Sequence, residues 1–189
     1  MIESKKLKSL TLCFSGSFNK NNFLKRFAMN LIKKITKSKW SHVSFVYPDK
    51  EIVMCQEATS PTVQRIPLYN WLKKNEHEWE IYEIDLVPKQ SYIWMLDELW
   101  NEIGQMKYGF FQLFTAAFSY LFRTKNLISK GVVCSEYVMT GLEKTSLSGY
   151  LSKFYDKDTI SLQDIYQMVK LLEIVGLAKL IEKEGRSDG

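Results

Sequence analysis

The chain predicts an α+β fold, an antiparallel sheet packed against helices, and the order of its periodicities is the main reason. Short alternating runs gather in the first half, while helical spacing fills most of the second. Such segregation belongs to α+β proteins rather than to alternating α/β ones. The length agrees: 189 residues, 46% hydrophobic and 25% charged, suit one well-buried core and fall short of two ordinary domains. The expected organisation is one domain over 1–184 followed by a polar, disordered tail, 185–189.

Each element has its own signal. Ser9–Phe14 is a short apolar run suited to a buried strand. Asn22–Ser38 sets Phe23, Leu24, Phe27, Leu31, Ile32 and Ile35 at helical spacing, with Asn21 or Asn22 as N-cap. The period then becomes two. Ser41–Tyr47 puts Val43 and Phe45 on one face of a strand and His42, Ser44 and Val46 on the other. Pro48-Asp49-Lys50 signals a turn, and Glu51–Ala58 returns as the hairpin mate. Trp71–Lys74 reads as a short helical turn and Glu80–Leu86 as a third alternating strand. Ser91–Gln105 is helical, with Gly104 or Gly109 to end it. Gly131–Cys134 leads into a helix running to about Lys144, and Thr159–Glu182 predicts a last helix.

Composition narrows the setting. The net charge of +5 is unevenly spread: ten Lys and Arg residues in 1–40 face the single acid Glu3. A positive surface there suits an anionic contact such as a phospholipid headgroup or acidic polymer, although charge runs are more often a solvated helix face. No motif supports nucleic-acid binding, so none is expected. Cys13, Cys55 and Cys134 are too few and too scattered for a disulfide framework or a zinc site, which points to a reducing intracellular compartment and to no metal or cofactor. No signal peptide is visible. The most apolar stretch, Tyr108–Phe122, falls short of the roughly 20 apolar residues a membrane crossing needs, so a soluble protein is expected.

Two histidines simplify the search for chemistry. His77 sits in a charged loop, while His42 lies on a strand among core residues. Cys134 follows Gly131-Val132-Val133 and opens a helix, where unpaired backbone N–H groups and the helix dipole favour a thiolate. A histidine within reach would activate that sulfur and later deliver a proton to the leaving group. The same N–H groups could hold the oxyanion of a tetrahedral intermediate. The plainer alternatives are a structural histidine and an inert buried thiol; Cys13 and Cys55, inside apolar strands, fit the second. A third group should orient the imidazole. Glu57 suits it, on the strand paired with that of His42; Gln56 points to the opposite face and remains the alternative.

Taken together, Trp40-Ser41-His42-Val43-Ser44-Phe45-Val46, Gln56-Glu57-Ala58, Tyr108-Gly109 and Cys134-Ser135-Glu136-Tyr137-Val138 resemble the circularly permuted branch of the NlpC-type papain-like enzymes. That branch holds the YaeF/YiiX-like amidases and is related to the lecithin:retinol acyltransferase-like proteins. Pro67-Leu68 and Ile160-Ser161-Leu162-Gln163-Asp164 also match its landmarks, so the resemblance spans roughly residues 8–166. Two departures stand out: the Gly-Asp that opens the family's first strand is absent, and Gly109-Phe110 replaces a polar residue after the tyrosine. The resemblance implies a papain-like fold with Cys134 as nucleophile, His42 as base and acid, Glu57 as orienting residue, and Gln56 and Tyr108 against the substrate.

The function expected is therefore a cysteine hydrolase that cleaves an amide or ester in a peptide, peptidoglycan fragment or lipid, without a cofactor. Two alternatives use the same fold. The aromatic run Tyr108, Phe110, Phe111, Phe114, Phe118, Tyr120 and Phe122 would suit a lipid acyltransferase or thioesterase, although aromatics at helical spacing are usually core. Or the domain is a non-catalytic binding or structural module that retains the three residues by descent.

Overall fold

A computed structural model describes residues 3–16, 30, 33–34, 37–59, 62–74, 78–104, 133–149, 151 and 160–184. Most of the expected basic helix Asn22–Ser38, the aromatic run Tyr108–Phe122, His77 and the tail 185–189 lie outside the described residues. The described chain begins with a short 3-10 turn, Ser4–Lys6, and continues into strand β1 (Ser9–Ser15). Strands β2 (His42–Asp49), β3 (Ile52–Ala58) and β4 (Val63–Pro67) follow, then helix α1 (Leu68–Lys74) and strand β5 (Trp79–Pro88). Helices α2 (Lys89–Ile103), α3 (Cys134–Glu143) and α4 (Leu162–Ile174) come next, and β6 (Ala178–Glu184) ends the described chain.

The six strands form one sheet in the order β4-β3-β2-β1-β5-β6, and every neighbouring pair is antiparallel. The α+β architecture expected from the periodicities is the one found. Among the described residues no helix is long and apolar enough to cross a membrane.

The two-residue period of the strands separates two cores. Leu10, Leu12, Phe14, Val43, Phe45, Tyr82 and Ile84 point to the face covered by α2, α3 and α4. Cys13, Val46, Val53, Cys55 and Ile81 point to the other, where Leu68 and Trp71 of α1 close a smaller cluster. Each helix on the larger face supplies a stripe at helical spacing: Tyr92, Met95, Leu96 and Leu99 from α2, Tyr137, Val138, Gly141 and Leu142 from α3, and Leu162, Ile165, Met168 and Val169 from α4. The α3 stripe needs Gly141, because a Cβ there would stand 2.6 Å from Phe45 Cζ and 3.1 Å from Met95 Sδ. The glycine lets helix and sheet approach this closely.

Three boundaries differ from expectation. The β2–β3 turn is at Lys50-Glu51, not Pro48-Asp49-Lys50: Asp49 already pairs with Ile52, and Lys50 takes φ 54° to close the two-residue loop. The short strand β4, with Gln64 and Arg65 among its five residues, carried no alternating apolar signal. The third difference is the largest. Thr159–Glu182 is not one helix: a capping box between Ser161 and Asp164 starts α4, Gly176 at φ 76° ends it, and residues 178–184 pair with β5 as an edge strand. Ala178, Lys179, Leu180 and Glu182 are good helix formers, but the open backbone edge of β5 outweighs their local preference.

Candidate functional site

β2 and β3 carry two side chains of the site on one face. The register sets Phe45 opposite Gln56 and Val46 opposite Cys55, so His42, Ser44, Cys55 and Glu57 share the face covered by α1. His42 is the first residue of β2. Its Nε2 lies 2.5 Å from Glu57 Oε2, a short contact between two residues that are 5% and 4% exposed.

Cys134 is the first residue of α3 and is itself buried. The helix start is set by Glu136, whose carboxylate accepts the Val133 N–H at 3.3 Å, and by the first helical bond from Tyr137 N–H to the Val133 carbonyl at 2.9 Å. Cys134 is close enough to the imidazole to help Glu57 raise its pKa. With Nε2 committed to Glu57, Nδ1 is the ring nitrogen left to exchange a proton with the thiol.

The electrostatics of the group follow from burial and pairing. Burial pushes the His42 imidazolium down. The Glu57 charge, then the charge and hydrogen bond of Cys134, then the Glu57 hydrogen bond outweigh it, and the pKa is raised from 6.5 to about 10. Burial pushes the Glu57 carboxyl up, but His42, Gln64 and Trp71 hold it below its ordinary 4.5. Cys13 and Cys55 differ: burial, reinforced by the Glu57 charge, keeps both well above 9.0, as inert thiols.

The structure thus brings Cys134, His42 and Glu57 together. Gln56 is not brought to them. It lies fully buried on the opposite face, donating from Nε2 to the Leu96 carbonyl at 3.1 Å and to Tyr137 Oη at 2.5 Å. Its Oε1 accepts from Arg65 Nε at 2.6 Å, and Arg65 continues to Asp97 at 2.8 Å, so the amide binds the sheet to α2 and α3. Tyr108 lies outside the described residues.

Two further residues contact the carboxylate. Gln64 Nε2 donates to Glu57 Oε1 at 2.5 Å, and Trp71 Nε1 donates to Glu57 Oε2 at 2.6 Å. Both were missed in the sequence. Gln64 stands directly opposite Glu57 in the β3–β4 register, so recognising β4 as an antiparallel partner of β3 would have located it. Trp71 could have been read as a buried indole N–H in need of an acceptor.

No protein-family profile matches the chain, and no curated protein does. Among solved structures, the chain is similar to the crystal structure of the metalloprotein yiiX from Escherichia coli O157:H7, with 15% sequence identity and a TM-score of 0.61. The match covers 95% of this chain and 99% of that one, so the likeness extends over nearly the whole of both folds.

Proposed function

We propose that this domain is a papain-like cysteine hydrolase of the permuted NlpC type, cleaving an amide or ester through an acyl-enzyme. One observation carries the reading: the buried His42 ring has a carboxylate 2.5 Å from Nε2 and lies close enough to a helix-opening cysteine to feel its sulfur. Nucleophile, base and orienting group of an acyl-transfer site make this arrangement. The chain order, histidine strand before cysteine helix, is that of the permuted branch, and the fold likeness to yiiX supports the same assignment.

The chemistry balances without a cofactor. The Cys134 sulfur attacks the substrate carbonyl carbon, with the proton already carried by the His42 imidazolium. The first backbone N–H groups of α3, which lack intrahelical acceptors, face the developing oxyanion. The carbonyl bond to the leaving group breaks, and the leaving nitrogen or oxygen takes the proton from His42. Water then attacks the thioester carbon and gives its proton to the imidazole. The C–S bond breaks and the sulfur is released beside the reprotonated ring. The fold neighbour is described as a metalloprotein; among the described residues of this chain no group of three or more His, Cys, Asp and Glu could hold a metal.

The test is to incubate the protein with p-nitrophenyl esters of short and long acids, quench in acid and measure intact mass. An acyl adduct mapping to Cys134, turning over with time and missing in Cys134→Ala, is expected. Rates rising steeply with acyl-chain length would assign the lipid form of the reaction. Adducts that persist unchanged in Cys134→Ala, or none at all, would overturn the proposal.

A further inference from the structure

Glu57 has no salt-bridging lysine or arginine among the described residues; besides His42, its oxygens meet two neutral donors. Oε2 receives both His42 Nε2 at 2.5 Å and Trp71 Nε1 at 2.6 Å, and Oε1 receives Gln64 Nε2 at 2.5 Å. We propose that Trp71 and Gln64 are positioning residues that clamp the two oxygens of Glu57, one each, and hold Oε2 against the histidine. The inference rests on the triad reading given above.

The terminal torsion of a glutamate is broad and nearly two-fold, so a carboxylate with one partner can rotate either oxygen toward the ring or away from it. A donor on each oxygen removes that freedom. The two donors come from different elements, β4 across the hairpin and α1 above the sheet, so together they fix the carboxylate plane. Trp71 is almost fully buried, can only donate, and lies with its ring 6.1 Å from the imidazole, closing that side of the site. The neutrality of both donors matters chemically. A lysine or arginine would hold Glu57 equally well but cancel the negative charge that the imidazolium needs. Glutamine and indole hold the anion and leave its charge to His42.

Among the described residues, the thiols of Cys13 on β1 and Cys55 on β3 also feel the carboxylate, and that of Cys134 on α3 acts on its histidine partner. Cys13 and Cys55 stay neutral across the useful pH range, so the acid limb of Cys134 reactivity reports the state of Glu57 and its imidazolium partner.

The experiment measures alkylation of Cys134 by iodoacetamide from pH 3.5 to 8, with peptide mapping, in the native chain, Trp71→Phe and Gln64→Leu. Loss of a hydrogen bond to the carboxylate makes it easier to protonate, so each variant should move the acid limb up by about one pH unit. Thermal melts establish that the variants are folded. Gln64 is on the edge strand and half-buried, so Gln64→Leu carries the test alone should the buried tryptophan prove indispensable for folding. A native Cys134 that reacts ahead of the other cysteines, with an acid limb unmoved in the folded variants, overturns the positioning role and leaves the hydrolase proposal standing. A native Cys134 no more reactive than Cys13 and Cys55 overturns both.

Discussion

Replacing Glu57 with glutamine removes one charge from the site and almost nothing of its shape. The consequences can be worked from the burial of the pair. His42 and Glu57 are nearly inaccessible, so neither charge is hydrated when the other is lost. Truncating one member of a buried charge pair costs about 3–5 kcal/mol, largely because its partner is stranded. Here the stranded imidazole can shed its proton, which limits the cost to roughly 3 kcal/mol. The ring would pay for that relief in reactivity: one pKa unit corresponds to about 1.4 kcal/mol, so its pKa should fall by about two units from the raised value. At pH 7 the ring, then near 8, still carries its proton, but the thiol hands a proton to it about a hundredfold less favourably, so alkylation of Cys134 should slow by about tenfold or more.

The pH dependence has a definite sign. Glu57 has a lowered folded pKa, so its contribution to stability is complete above its ordinary 4.5 and is lost as pH falls below that. His42 has a raised folded pKa, so its contribution is complete below 6.5 and fades as pH rises toward about 10. The stability gap between the native chain and Glu57→Gln should therefore be widest between pH 4.5 and 6.5 and narrow on both sides. Urea melts across pH give the gap, and site-mapped chloroacetamide kinetics at pH 7 give the reactivity. Equal urea midpoints together with alkylation rates within about twofold would refute the buried-pair argument.

Two further substitutions probe the scaffold. Gly141→Ala would ordinarily favour a helix by about 1 kcal/mol, but its Cβ would meet Phe45 Cζ at 2.6 Å, so urea melts should show a net loss of about 1–3 kcal/mol. Gln56→Leu strips partners from Tyr137, Arg65 and the Leu96 carbonyl at once, and the same melts should show a loss of about 3 kcal/mol; a neutral result would mean that the amide does not join the sheet to its helices.

Much of the sheet was legible because each strand's own residues carry its signal. Ser9–Phe14 gathers Leu10, Leu12, Cys13 and Phe14 in a short run, and the alternation of Val43 and Phe45 against His42, Ser44 and Val46 names the two faces before any partner is known. The same alternation sent Gln56 and Glu57 to opposite faces, as the register now has them. What the amide of Gln56 binds there was not legible, since Leu96, Tyr137 and Arg65 come from three other elements. Gln64 and Trp71 were invisible for a related reason: their importance depends on a hairpin register and on where a short helix lands. β6 was hidden differently. Its residues favour helix locally, and only the unfilled edge of β5 makes them a strand. Local chemistry could be read from the sequence, whereas pairing across elements could not.

The central claim is that one of three buried thiols is activated by an imidazole and a carboxylate. Its most direct measurement is competition: the native protein receives substoichiometric iodoacetamide near neutral pH, and each cysteine is quantified by peptide mass, alongside His42→Ala. Modification should fall almost entirely on Cys134 and drop sharply in His42→Ala, with Cys13 and Cys55 untouched in both. Equal labelling of Cys13 or Cys55, or a Cys134 indifferent to the loss of His42, would contradict the account.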